Sequence, residues 1–348
     1  MTTEFDTHGQ PLRARYDAYL AENPKTRIRT VAGALGVSEM ELVAAGCGGI
    51  QSTLLTEPAQ DIFKELGTLG TVRALTRNEW CVHERNGRYE DIRAGKSMGI
   101  VVGPDIDLRM FFTDWKYTFA VNDGGRRSIQ FFDRAGMAIH KVFCLEESDL
   151  AGYQALVEKF TDADPQWPRT EPVEPAVWRD EVDQPDALRE HWLGMKDTHQ
   201  FFAMLKKFNV SRLAALGAVG SDLAQKVSND VVEAMLHAVA DRDISFMCFV
   251  GNHGLIQIHS GPIKKLLRTG QWFNVLEPHF NLHLDTTVID STWIVNKPTS
   301  EGWVTSIECY TKDGEMIAQF FGARKPGIPE LTSWRELLVG YCPIPLAA

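Results

Sequence analysis

Of the ten histidines in this 348-residue chain, His199 stands in the setting best suited to chemistry, the hexapeptide DTHQFF at 197–202. The spacing predicts a short amphipathic helix over 197–208. At 100° per residue, Phe201, Met204, Leu205 and Phe208 share one face. His199 falls on the other side with Phe202, Ala203 and Lys206, outside the apolar stripe. The positive end of the helix dipole disfavours an imidazolium there, and a neutral imidazole is what an iron or zinc ion takes. The ordinary reading of such a residue is an exposed or capping histidine. Phe202 beside it and Arg212 further on fit, instead, a pocket for a flat apolar body that carries anionic groups and a metal ion.

Other residues offer chemistry less convincingly. His279 and His283 lie at i and i+4 in PHFNLHLD with Asp285 nearby, but no third ligand is spaced to complete a metal site, so structural use is the expectation. RTVAGALGVSEMELVAAG (29–46) has the shape of a DNA-binding helix-turn-helix, with Gly36 at the turn and Ser38 as N-cap. No basic residues follow Ser38, and a structural helix pair is the better reading. AAGCGGIQ lacks the third glycine of a dinucleotide fingerprint, and no GxSxG elbow occurs. Cysteines 47, 81, 144, 248, 309 and 342 are scattered without metal or redox spacing, as expected of free thiols in a reducing compartment.

The bulk numbers exclude further classes. A net charge of −10 argues against a nucleic-acid or membrane-surface partner. No apolar run approaches the roughly 20 residues of a membrane span, so the chain is expected not to be membrane-embedded. The N-terminal MTTEFDTHGQPLRARYD has no apolar core to act as a signal peptide. Together these point to a cytoplasmic protein.

The elements that must position His199 are written twice. LTRNEWCVHERNG around Asn78 and FVGNHGLIQIHSG around Asn252 match at an offset of 174, as do IDLRM (106–110) and FNLHL (280–284). SIQFFDRAGMAI (128–139) meets SIECYTKDGEMI (306–317) at 178, and the four extra residues fit the NKPTSEG loop at 296–302. Upstream, LGVSEMELVAAG (35–46) aligns with FNVSRLAALGAVG (208–220). Each half begins with helical patterns and continues in strands and hairpins with turns at Gly136 and Gly314. The reading is α+β, a tandem duplication in which each half is a large antiparallel sheet flanked by helices. It divides into a first repeat over 1–165, a Pro-rich acidic linker over 166–186 and a second repeat over 187–348. Pro165, Pro168, Pro172, Pro175 and Pro185 mark the join, and Trp167 and Trp178 imply that it lies against the body.

Seven blocks in this order carry a resemblance: LTRNEWCVHERNGRY (75–89), IDLRMFF (106–112), SIQFFDRAGMAIHKVF (128–143), DTHQFF (197–202), VGNHGLIQIHSGP (250–262), WFNVLEPHFNLHL (272–284) and FFGARKPGIPE (320–330). Over nearly its whole length the chain resembles the bacterial cytoplasmic haem-utilisation proteins, known as hemin-degrading factors or haem transport and chaperone proteins. The resemblance implies two repeats with haem, as haem b, in a cleft between or along them. It implies that His199 is the axial iron ligand and that Arg109, with Phe111 nearby, approaches haem from the other side, both serving catalysis if there is any. It further implies polar and cationic contacts to the propionates from Arg212, Lys297, Gln319 and Arg324, and apolar contacts from Met247 and Phe249. Phe321 stands where relatives have a tyrosine, which removes a hydrogen bond. The counterpart of Arg109 in the second repeat is His283, so one cleft survives the duplication.

Two functions fit that pocket. One is an enzyme that opens the haem ring and frees iron, drawing electrons from an external donor such as a reductase, since no flavin or nicotinamide motif is present. The other is a non-catalytic carrier passing haem from an inner-membrane importer to a separate haem oxygenase.

Overall fold

The computed structural model describes residues 4–348 apart from 57, 175 and 326, so Pro175 of the linker lies outside the described residues. The chain opens with helices α1 (Glu4–Glu22), α2 (Ile28–Leu35) and α3 (Glu39–Ala44), then strand β1 (Gln51–Leu55) and helix α4 (Ala59–Lys64). Strands β2 (Gly70–Arg77), β3 (Cys81–Arg88), β4 (Ile92–Ala94), β5 (Met98–Val102) and β6 (Asp107–Phe111) follow. Next come β7 (Trp115–Asp123), β8 (Arg126–Asp133), β9 (Ala138–Ser148) and helix α5 (Leu150–Phe160).

The same order then recurs. Helices α6 (Pro185–Leu193), α7 (Gln200–Phe208) and α8 (Arg212–Ala218) precede strand β10 (Ala224–Val227) and helix α9 (Val231–Arg242). Strands β11 (Phe246–Gly251), β12 (Leu255–Gly261), β13 (Leu266–Thr269), β14 (Trp272–Leu276) and β15 (Phe280–Asp285) come next. Finally come β16 (Ser291–Thr299), β17 (Gly302–Tyr310), β18 (Met316–Gly322) and helix α10 (Thr332–Val339). The expected α+β duplication is therefore present: the described residues form two large antiparallel sheets of nine strands each, flanked by helices.

The chain divides into two compact units, one made of residues 1–77, 84–174 and 251–257, the other of 78–83, 175–250 and 258–348. In the first unit the strands run β1-β7-β8-β9-β2, all antiparallel. One face, with Val72, Ala74, Ile129, Phe131 and Val142, packs under α4 and α5. Phe119, Val121 and Phe132 on the other face pack under α1, α2 and α3. The helix-turn-helix pattern is a structural pair here. Gly36 ends α2 in the left-handed region, and Ser38 and Glu41 form a reciprocal capping box on α3. Trp167 of the linker is buried in this core and stacks on His8.

In the second unit the corresponding run is β10-β16-β17-β18-β11. Phe246, Cys248, Val250, Ile307 and Phe320 pack under α9 and α10. Ala224, Val295 and Tyr310 on the opposite face pack under α6, α7 and α8. Registers match between units. Ser128 faces Phe143 as Ser306 faces Phe321, and each hairpin slips at the same point, beside Phe132 and Tyr310. Asn78 and Asn252 also play one role twice. Each side-chain oxygen accepts two N–H groups of its own turn, while each amide donates to a hairpin carbonyl, that of Ile317 and of Ile139 respectively.

Candidate functional site

The helix read from DTHQFF begins at Gln200, and His199 is its N-cap residue, with helical backbone angles and no capping bond from its side chain. The loop before it is tied down by Gln200, whose Oε1 accepts the N–H groups of Lys196 and Asp197 at 2.7 and 3.2 Å. Asp197 Oδ1 accepts both the backbone N–H of His199 at 2.8 Å and its ring Nδ1–H at 2.6 Å. Led by that backbone bond, against a little burial, the Asp197 carboxyl is held below its ordinary range, and the charge of Arg324 contributes. A carboxylate on Nδ1 fixes the tautomer in which Nε2 is the free lone pair, the arrangement that orients histidine metal ligands. The His199 side chain is 86% exposed, so that lone pair is accessible. The predicted stripe is confirmed: Phe201, Met204 and Leu205 are buried, while Phe202 is 56% exposed with Lys206 over its ring. Asn209 ends the helix in the left-handed region, and Lys206 and Lys207 lie in its last turn.

Beneath α7 lies a buried charge cluster. Phe201 is flanked by the Arg212 guanidinium at 4.6 Å and the Lys297 ammonium at 4.5 Å. Both cations converge on Glu308 of β17. Arg212 donates from Nε and Nη2 at 2.8 and 2.7 Å, and Lys297 donates from Nζ at 2.8 Å. The Ser306 and Tyr310 hydroxyls also donate to it. Burial alone would raise the Glu308 carboxyl, but Arg212 and Lys297 overcome it and hold the group well below the ordinary carboxylate range. Burial pushes the Lys297 ammonium down to about 8, against the attraction of Glu308, with Arg212 adding to the push. With two cations against one carboxylate, the cluster carries one surplus positive charge.

The strand registers place the remaining second-unit residues on the sheet face that carries Glu308. Met247 pairs with Phe321, which pairs with Ser306; Phe249 pairs with Gln319, which pairs with Glu308. Met247, Phe249, Gln319 and Phe321 are all half-buried, and the Phe249 and Phe321 rings sit 4.9 Å apart. Arg324, just past β18, is near enough to Asp197, Glu301 and Glu330 for its charge to act on each. The structure thus brings His199, Arg212, Lys297, Gln319, Phe321, Phe249, Met247 and Arg324 together in one unit. Glu308, the shared partner of Arg212 and Lys297, was not singled out from the sequence. Its signal was a charged residue at an inward position of the strand SIECY, which only a buried partner makes tolerable.

Arg109 and Phe111 belong to the first unit, on β6, where they pair with Ile100 and Met98. Arg109 is partly buried and held by Asp107 and by the Leu108 carbonyl at 3.0 Å. His283 Nδ1 contacts Asn274 Oδ1 at 2.6 Å. Among the described residues, no group of three or more His, Cys, Asp or Glu is arranged to hold a metal ion. Among the same residues, no helix is long and apolar enough to cross a membrane.

The family model described as the haemin-degrading HemS.ChuX domain matches residues 36–160 and again 209–341. The chain belongs to that family. It is 37% identical to the hemin transport protein HemS of Yersinia enterocolitica, over 92% of this chain and 95% of the relative. The hemin transport protein HmuS of Yersinia pestis is also 37% identical, over 93% and 95%. Among solved structures, holo-PhuS, a heme-binding protein from Pseudomonas aeruginosa, superposes with a TM-score of 0.91 at 44% identity, covering 96% of this chain and 99% of that one. ChuS, described as an E. coli heme oxygenase, superposes with a TM-score of 0.85 at 32% identity, covering 95% and 99%. HemS.ChuX membership agrees with the family resemblance carried by the seven sequence blocks.

Proposed function

We propose that this chain binds haem b on the α7 side of its second unit, with His199 as the axial iron ligand. The observation that carries the reading is the Asp197–His199 pair, which presents an exposed and oriented Nε2 beside a cluster with surplus positive charge. The half-buried Met247, Phe249 and Phe321 offer an apolar wall suited to a macrocycle, and Arg212, Lys297, Gln319 and Arg324 supply donors for its propionates. Arg109 and Phe111 enter the proposal through the family resemblance. The test is a hemin titration followed by the Soret band. His199→Ala is expected to shift the band and weaken binding, and an unchanged band and affinity would refute the ligand assignment.

The bound haem is, in this reading, a substrate in the cytoplasm, opened oxidatively by dioxygen with electrons from an external donor so that iron is released. The chain's own part is to hold the ring by His199, to neutralise its carboxylates and to place Arg109, a fixed donor held by Asp107. The name of ChuS supports this. A second reading, carriage from an importer to a separate oxygenase, is favoured by the high exposure of His199 and by the hemin transport names of the Yersinia relatives. Incubating the haem complex with a reductant in the presence of catalase, then identifying tetrapyrrole products, separates them. A ring-opened product supports degradation, and intact haem that transfers to an added oxygenase supports carriage.

A further inference from the structure

The cluster around Glu308 has an internal contrast in the other half of the chain. At an offset of 173 the residue matching Arg212 is Glu39, which follows Ser38 at the start of α3 as Arg212 follows Ser211 at the start of α8. Val121 faces Ser128 as Val295 faces Ser306, so the register matches Asp123 with Lys297 and Gln130 with Glu308. The match for Gln319 is Lys141, which pairs with Glu39. Each unit therefore has an ion pair from the same helix position to its sheet, with the polarity reversed and the sheet partner on the neighbouring strand. In the second unit the helix supplies the cation and the sheet the carboxylate, and a second cation, Lys297, is added to the same carboxylate.

That addition is hard to explain as stabilisation alone. A single Arg–carboxylate pair satisfies its own charge, while a third, fully buried ammonium adds a desolvation cost. Its evident effect is to leave positive charge on donors that cannot move. Arg212 is locked by two bonds to Glu308, Lys297 by one, and both press on Phe201.

We infer that Glu308 is a positioning and specificity-determining residue of this face. By neutralising one of two largely buried cations, it leaves a single surplus positive charge on fixed donors, which selects tetrapyrroles through one ionised side-chain carboxylate. This rests on the haem reading above. Removing the Lys297 charge brings the cluster to zero, and removing the Glu308 charge brings it to two. Preference for a free carboxylate over its ester must then rise in the order Lys297→Met, wild type, Glu308→Gln, while Glu308→Asp keeps the wild-type preference.

The experiment uses the full chain with iron-free protoporphyrin IX and its dimethyl ester as probes, titrated by tryptophan fluorescence. Because the probes lack iron, they report the carboxylate contacts without the His199 bond. The expected result is a ratio of ester to acid dissociation constants that changes by about tenfold or more for each unit of cluster charge. Equal ratios in Lys297→Met and wild type overturn the inference, even where Glu308→Gln fails to fold, and so does a Glu308→Asp ratio far from the wild type. If wild type binds hemin through His199 yet the ratios are flat, only this inference falls. If it binds neither hemin nor protoporphyrin, the haem reading falls with it.

Discussion

At the scale of the residue, Asp197 gives His199 its chemical character. A histidine at an N-cap commonly spends a ring nitrogen on the helix; here the carboxylate takes Nδ1–H and the backbone N–H together, leaving Nε2 outward. Asp197→Ala is therefore expected to weaken haem binding by about 10–100-fold while leaving the protein folded, as second-sphere substitutions do. An unchanged hemin dissociation constant in that variant would count against the role. His199 itself was legible in the sequence because it breaks the apolar stripe of its own helix. The partnership of Arg212 and Lys297 was not. Each reads from sequence as a cation available to a ligand, and their common carboxylate, Glu308, lies 96 and 11 residues away.

At the scale of the element, the duplicated hairpins make a direct comparison possible. Gly136 and Gly314 occupy equivalent turns, each with φ of 78°. Alanine is strained at both, but a Cβ at Gly136 would also lie 2.4 Å from Ser38 Oγ, whereas at Gly314 its nearest neighbour is Leu213 at 3.4 Å. Gly136→Ala is expected to destabilise by more than about 1 kcal/mol, and by more than Gly314→Ala, in denaturant melts. Ser38 also caps α3, so Ser38→Ala is expected to cost about 1 kcal/mol. These turns and caps were legible because glycine and serine act on the backbone within a few residues. The start of α7 was not. The predicted helix reaches back to Asp197, but the side chains of Asp197 and Gln200 hold the preceding loop out of it.

At the scale of the molecule, the two copies have diverged in their charges and buried polar groups while keeping their architecture. The first unit has Glu39, Gln130 and Asp123 where the second has Arg212, Glu308 and Lys297, so hemin is expected to saturate at one equivalent per chain, and a second equivalent of matching affinity would contradict this. Another contrast concerns acid stability. In the first unit His140 is buried between the Thr76 hydroxyl at 2.8 Å and the Tyr89 hydroxyl at 2.5 Å. Burial pushes its imidazole down to about 3, against a hydrogen bond that the ring donates to the Leu75 backbone. The unfolded chain, with an ordinary histidine near 6.5, then binds a proton that the folded chain refuses. Stability from this residue is complete above about pH 6.5 and falls by up to about 1.4 kcal/mol per unit as pH drops toward 3. The matching residues in the second unit are Val250, Ala318 and Ile263. Replacing Thr76, His140 and Tyr89 by Val, Ala and Ile is expected to flatten that slope in thermal melts between pH 4 and 6.5.

The sequence by itself determined the duplication, the helices that open each copy before its strands and hairpins, and the helix face that excludes His199. These follow from periodicity, turn residues and repetition, which act over short distances along the chain. Tertiary structure alone decided that Glu308 joins Arg212 to Lys297, that Asp197 turns His199 outward, and that the buried ion pair reverses polarity between the copies. The Glu308 contacts and the reversed ion pair depend on strand register, and a one-residue slip would send each of them to the opposite face; the Asp197–His199 contact joins residues two apart and depends on how the loop before α7 is held.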